Sequence, residues 1–165
     1  MVRRWVVNSS PLIFLGKITR IDLLTELCNE LIIPDGVAQE IQAGDDKDPA
    51  KEWLKYKGQK WVKTTSKIGA AISSWDLGLG ETHVLSWCYQ NEGYEAILDD
   101  RAARKCAQVF RVPVRGTLGI ILLAKKENHI SEAEANVLID KLINAGFRIE
   151  VKLLQSVQNL ISEQS

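Results

Sequence analysis

Trp5-Val6-Val7-Asn8-Ser9-Ser10-Pro11-Leu12-Ile13 holds the logic of the fold in one turn of chain. Three bulky apolar residues read as a buried strand, the polar trio Asn8-Ser9-Ser10 ends it, and Pro11 opens a helix that carries Leu12, Ile13, Leu15 and Ile18. A second strand ends in the same manner, Ala96-Ile97-Leu98 running into Asp99-Asp100. In a chain of alternating strands and helices, the carboxyl ends of parallel strands open into the crevice where ligands bind. Both polar endings are therefore the first places to look for chemistry.

Outward from these two turns, the alternation persists. A helix from about Asp22 to Cys28 leads to the short strand Leu31-Ile32-Ile33, and Pro34-Asp35 starts a helix whose Val37, Ala38 and Ile41 keep helical spacing until Gly44. Asp45 to Pro49 reads as a polar loop, Lys51 to Tyr56 as helix and Trp61-Val62 as strand, while Lys63 to Gly78 has no sustained period. Gly80 precedes a helix with Glu81, Val84, Leu85 and Cys88 on one face, ending near Asn91 to Gly93. After strand Ala96 to Leu98, Arg101 to Phe110 is helical, Val112-Pro113-Val114 extended and Leu118 to Lys126 an apolar helix. Ser131 with Glu134 forms a capping box for a helix through about Asn144, stopped at Gly146. Phe147 to Val151 reads as strand-like, followed by a polar helix. The expected class is an α/β/α sandwich around a parallel sheet, formed by residues 1–165 as one domain.

Composition narrows the function. The 165 residues carry 21 Lys plus Arg against 21 Asp plus Glu, so no global basic field drives nucleic-acid binding and any such site must be a local patch. Cys28, Cys88 and Cys106 are odd in number and set in apolar stretches, which suits reduced core thiols and a cytoplasmic setting better than disulfides or zinc. The apolar runs, of which Ile120 to Ala124 is among the longest, are too short to cross a bilayer. Trp5 and Trp87 sit in core-like patterns, whereas Trp53, Trp61 and Trp75 have polar surroundings where they stack bases or pack against a partner or the domain edge. His83 and His129 lie far apart and neither is promoted to a catalytic base.

Glu81 extends the apolar stripe of its helix, and Glu40, three residues after Val37, does the same. An inward carboxylate needs a partner. A salt bridge to Arg101, Arg104 or Arg115 would serve, as would a position at a helix start. Two inward Glu together with Asp at strand ends would instead gather negative oxygens at one place, an environment that suits Mg²⁺ or Mn²⁺.

In order and spacing, Val6 to Ile13, Ile33-Pro34 with Glu40-Ile41, Gly78-Leu79-Gly80-Glu81, Leu98 to Arg104 and Gly116-Thr117-Leu118-Gly119 resemble a PIN-like domain, closest to the prokaryotic subgroup allied to toxin-antitoxin ribonucleases. The resemblance spans about Trp5 to Ile149. It implies a parallel sheet flanked by helices and an acidic cluster that binds Mg²⁺ or Mn²⁺ and hydrolyses RNA, with Glu40, Glu81 and Asp100 catalytic. By position, Asn8 matches the family's first acidic residue, Glu40 the second, Glu81 the third and Asp100 the fourth, with Asp99 beside it; all five are candidate metal ligands. Asn8 departs from the pattern, since a carboxamide offers an oxygen but no charge, which lowers cation affinity. Ser10 is expected to support a neighbouring carboxylate or to cap the helix at Pro11. Arg101 and Arg104 bind phosphate or balance the acidic charge, and Thr117 meets phosphate at a helix start or serves as a turn and cap.

Three functions follow from these residues. The first is a metal-dependent ribonuclease acting as a toxin and held in check by an antitoxin protein. The second is a degenerate PIN-like module that binds RNA or a protein without cutting. The third, an α/β domain holding a small phosphorylated ligand, is disfavoured by the excess of carboxylates at the strand ends. Apolar terminal helices and exposed tryptophans also predict a homo-oligomer, a dimer in the simplest case.

Overall fold

Parallel pairing of five short strands organises the computed structural model, which describes residues 2–65 and 67–163. The strands are β1 (Arg4–Val7), β2 (Glu30–Pro34), β3 (Val62–Lys63), β4 (Glu95–Ile97) and β5 (Val114–Arg115), in the spatial order β3-β2-β1-β4-β5. Trp5, Val6 and Val7 are fully buried, as expected for the middle strand of a sheet covered on both faces. Register places Val6 opposite Ile32 on one side and Ala96 on the other. Trp5 keeps its polar handle satisfied inside the core, its indole N–H donating to Glu95 at 2.8 Å, while Arg115 pairs with the same carboxylate at 3.1 Å.

The strand order explains where the site lies. From β1 the chain moves outward to β2 and β3, then returns to place β4 on the other side of β1. Connections leaving β1 and β4 therefore diverge, and a crevice opens between their carboxyl ends. The residues at that switch point are Asn8 and Asp99-Asp100.

Ten α-helices fill the connections among the described residues: α1 (Ser9–Lys17), α2 (Asp22–Leu27), α3 (Asp35–Gln42), α4 (Pro49–Trp53), α5 (Ala70–Ser73), α6 (Leu79–Gln90), α7 (Arg101–Val109), α8 (Thr117–Lys126), α9 (Glu132–Asn144) and α10 (Val151–Ser162). α6 carries the return from β3 to β4 and packs on β1, β2, β4 and α3. Its buried Val84, Leu85 and Cys88 join one continuous hydrophobic cluster with the sheet and with Ile120, Ile121, Leu138 and Ile139 of α8 and α9. The Ser131 cap is present, its hydroxyl accepting from the Glu134 N–H at 3.1 Å.

Three expectations are corrected. Phe147 to Val151 is not a strand: the inward-outward alternation of residues 147–150 is present, but the segment finds no ladder partner and Val151 already begins α10. Phe147 packs edge-on against Phe14 of α1 instead, ring centroids 5.1 Å apart. α1 starts at Ser9 with Asn8 as its N-cap residue, so Ser10 lies in the first turn and does not cap a helix at Pro11. The Lys51 to Tyr56 helix is interrupted: α4 passes into a π-type turn at Leu54–Gly58 and a 3₁₀ turn at Gln59–Trp61 before β3. Both turns carry amphipathic residues whose local spacing does not distinguish a π turn from an α turn. The aperiodic stretch before Gly78 contains the single-turn α5.

Candidate active site

Asn8 leaves β1 with its backbone N–H bonded to Ile97 O at 3.1 Å, which ties the ends of β1 and β4 together. Its side chain is buried, and Oδ1 has no hydrogen-bond partner among the described residues. A buried carbonyl oxygen without a hydrogen-bond partner is costly, and it is a hard donor of the kind a divalent cation takes. Ser9 follows, its hydroxyl donating to Glu40 Oε1 at 2.5 Å across the gap between α1 and α3.

The space around these groups exists because α6 begins with glycines. A Cβ built on Gly80 would stand 2.2 Å from Glu40 Oε1 and 2.8 Å from Asn8 Oδ1, so the two oxygens share the volume that any larger residue would fill. One built on Gly78 would lie 3.5 Å from Glu81 Oε1 and 3.6 Å from Glu40 Oε2. Glu81 is half-buried on the first turn of α6. Burial pushes its carboxyl up from an ordinary 4.5 to about 7, reinforced by the negative charges of Asp100 and Glu40 and by a hydrogen bond with Asp100. Glu81 thus lies within electrostatic reach of both Asp100 and Glu40.

On the β4 side, the two aspartates do different work. Asp100 is the N-cap residue of α7 and accepts from the Ala103 N–H at 3.0 Å. Asp99 is held from α8, Oδ1 accepting the Thr117 N–H at 2.8 Å and Oδ2 the Thr117 hydroxyl at 2.6 Å. Thr117 is fully buried, so it orients Asp99 and does not face a phosphate. Arg104 donates from Nε to Leu98 O at 3.1 Å, and its guanidinium lies against Gly116, where a Cβ would come 2.2 Å from Nη2. Arg101 pairs at the surface with Glu150 at 3.2 Å. Arg115 is taken by Glu95, and among the described residues neither Glu40 nor Glu81 makes an ion pair. The carboxylate-arginine bridges that would have explained the inward acids are absent there.

Asn8, Ser10, Glu81, Asp99, Asp100, Arg101 and Arg104 line a crevice of about 1150 Å³ whose far wall comes from Gly146 to Val157. Glu40 is not part of that lining and reaches the Asn8 oxygen from α3. Among the described residues, no three His, Cys, Asp or Glu side chains form a group that could hold a metal ion. A cation here would draw on the Asn8 oxygen as well as on carboxylates. The hard oxygen donors and the bare Asn8 Oδ1 fit Mg²⁺ or Mn²⁺ in kind.

Ser9, and not the expected Ser10, makes the direct contact with Glu40. A helix begun two residues before Pro11 carries that signal. His83 also has partners that its own surroundings in the sequence do not reveal: its Nδ1 lies 3.2 Å from the Gly36 N–H and 3.1 Å from Asp35 Oδ1 at the end of β2. Asp35 is far away in sequence, and no local signal joins the two.

A family model described as PIN domain matches residues 4–163. No curated protein matches the chain.

Proposed function

Because the chain belongs to the PIN-domain family, a nuclease-type fold, we propose that the crevice between β1 and β4 is a divalent-cation-dependent site that hydrolyses RNA phosphodiester bonds. The observation that carries this reading is Glu81, pressed against Asp100 and Glu40 with no basic partner among the described residues, in the same crevice as the unsatisfied Asn8 Oδ1. Such a set is costly by itself and favourable around a cation.

Glu40, Glu81 and Asp100, which as they stand do not close into one metal-holding group, would draw together with Asn8 Oδ1 around Mg²⁺ or Mn²⁺, which when bound would neutralise the carboxylates and polarise a phosphate oxygen. The chain's own groups do the rest. Ser9 holds Glu40 toward the shared space, Thr117 holds Asp99 at the rim, and the Asp100 cap fixes the first turn of α7. With no cation bound, burial and the neighbouring acids keep the Glu81 carboxyl protonated up to about pH 7, so cation binding would release that proton to solvent. Arg101, exposed at the mouth and paired at the surface with Glu150, can move onto an incoming phosphate.

In its cellular role, we place the protein with toxin-type ribonucleases controlled by an antitoxin that covers the crevice, in the cytoplasm, where its three free thiols stay reduced. No helix among the described residues is long and apolar enough to cross a membrane. Asn8 favours a second reading, a module that binds RNA or protein without cutting, since it lacks the charge of an acidic residue at the centre of the site.

One pair of variants tests both. Asn8→Asp is expected to bind Mn²⁺ about tenfold more tightly by calorimetry, the scale of one added carboxylate ligand, and to cut a labelled RNA faster. Asp100→Asn is expected to abolish cleavage. If Asn8→Asp binds Mn²⁺ no better than the parent and Asp100→Asn cuts as fast, these side chains do not form the cation site.

A further inference from the structure

Away from the crevice, α1, α2 and the α4-to-β3 connection enclose a groove of about 740 Å³. Trp53 and Trp61 form its wall, stacked with ring centroids 5.7 Å apart and planes 5° from parallel. Gly58 locks the pair in place, since a Cβ there would meet Trp53 Cζ3 at 2.6 Å. The π-type turn at Leu54–Gly58 turns Lys55, Tyr56 and Lys57 outward together, with Tyr56 72 % exposed at the groove's edge. Lys60 lies over the Trp61 ring at 4.5 Å and Lys55 over Tyr56 at 5.3 Å. Such cation–π contacts are weak at exposed sites and yield to a stronger occupant.

The charge here is unlike that of the whole molecule. A chain of zero net charge places six lysines and one glutamate between residues 49 and 67. Lys51 is tied to Asp46 at 2.6 Å, but among the described residues Lys55, Lys57, Lys60, Lys63 and Lys67 make no ion pair. Unneutralised ammonium groups alternating with rigid aromatic faces are the arrangement that takes stacked bases and a phosphate backbone together. An acidic peptide would satisfy the lysines and leave the ring faces without a planar partner.

We infer that this groove is a binding platform for single-stranded polynucleotide, seating bases against Tyr56 and the Trp53–Trp61 pair and phosphates on Lys55, Lys57 and Lys60. Lys63, opposite Pro34 at the end of β3, continues the positive track toward the carboxyl edge of the sheet, whereas Lys67 lies apart, its carbonyl accepting from Gln90 Nε2 at the far end of α6. α1 joins the two places: Gly16 lines the groove, while Ser9 stands at the catalytic crevice about 10 Å away along the helix. The platform rests on the ribonuclease reading only for its purpose, which is to hold an RNA whose next nucleotides reach Asn8 and Glu81.

Binding is measured in EDTA, so that no cleavage is needed, by quenching of tryptophan fluorescence with a twelve-residue oligouridine. Oligothymidine, a duplex RNA and inorganic polyphosphate are the comparison ligands. Quenching by oligouridine is expected, with the salt slope of log K shallower by about two when Lys55, Lys57 and Lys60 are all changed to Gln. Tyr56→Ala, at an exposed position that leaves the core intact, is expected to bind about tenfold more weakly. Equal binding of oligothymidine assigns the site to single strands of either sugar, and tighter binding of oligouridine assigns it to RNA. The platform is overturned if duplex or polyphosphate binds as tightly as oligouridine, or if the triple variant keeps the parent's affinity and slope. A parallel cleavage assay separates the two proposals. A parent that binds at the groove but never cuts removes the nuclease reading alone, and a triple variant that binds and cuts long RNA as the parent does removes the platform alone.

Discussion

At the scale of single residues, the site depends on what is missing at Gly80 as much as on the acids. Gly80→Ala adds one methyl group where Glu40 Oε1 and Asn8 Oδ1 already stand. Because Ala favours the helix over Gly by up to about 1 kcal/mol, stability should change little while Glu40 is displaced. Calorimetry should then show Mn²⁺ binding weakened about tenfold or more, with thermal melting within a few degrees of the parent. A variant that keeps both would show that Glu40 and Asn8 do not act together. Glu81 makes a second prediction, in pH. Its folded carboxyl titrates near 7 against an ordinary 4.5, so the folded chain holds a proton that the unfolded chain has released between those values. The associated stability is full below pH 4.5 and is lost as pH rises toward 7. Melting temperatures in EDTA should fall from pH 5 to pH 7.5, and Glu81→Gln should flatten that fall. The acids themselves were legible in the sequence, because helical spacing turned Glu40 and Glu81 inward. The approach of Glu81 to the other two was not, because Glu40 and Glu81 lie on different helices and Asp100 follows a strand.

Between elements, one joint matters most. β4 ends in Asp99, and α8 begins at Thr117, whose N–H and hydroxyl both donate to that carboxylate. Thr117→Val keeps the shape and the backbone bond but removes the hydroxyl from a fully buried position. Losing one hydrogen bond to a carboxylate should cost about 1.5–3 kcal/mol, read as a lower urea midpoint at unchanged slope. An unchanged midpoint would mean that water replaces the hydroxyl and that Asp99 is not anchored by α8. The sequence marked Gly116-Thr117 as a helix start, which it is. That Thr117 grips an aspartate instead of facing a ligand depends on β4 and β5 being neighbours, a tertiary fact. The last stretch before α10 teaches the same lesson. Phe147 to Glu150 alternates like a strand, yet an alternating segment becomes one only where an open sheet edge meets it, and Phe14 claims Phe147 first.

For the whole molecule, α9 and α10 pack together and leave Val137, Ile143, Leu153 and Leu160 at least 39 % exposed. Apolar surface of that kind tends to mark contact with another chain. We expect sedimentation to show a dimer, and Leu160→Glu to shift it toward monomer without lowering the melting temperature. A parent that stays monomeric at high concentration would rule out self-association. The alternation of strands and helices, the fully buried β1 and the inward phase of the acids follow from local spacing and from side chains that must leave water, so all three are written in the residues themselves. That β4 returns beside β1, that Gly80 makes room for Glu40 and Asn8, and that Trp53 stacks on Trp61 is settled by the assembled fold. Those outcomes are contacts between segments distant along the chain, and what selects them is the packing of whole elements around one sheet, which no window of neighbouring residues contains.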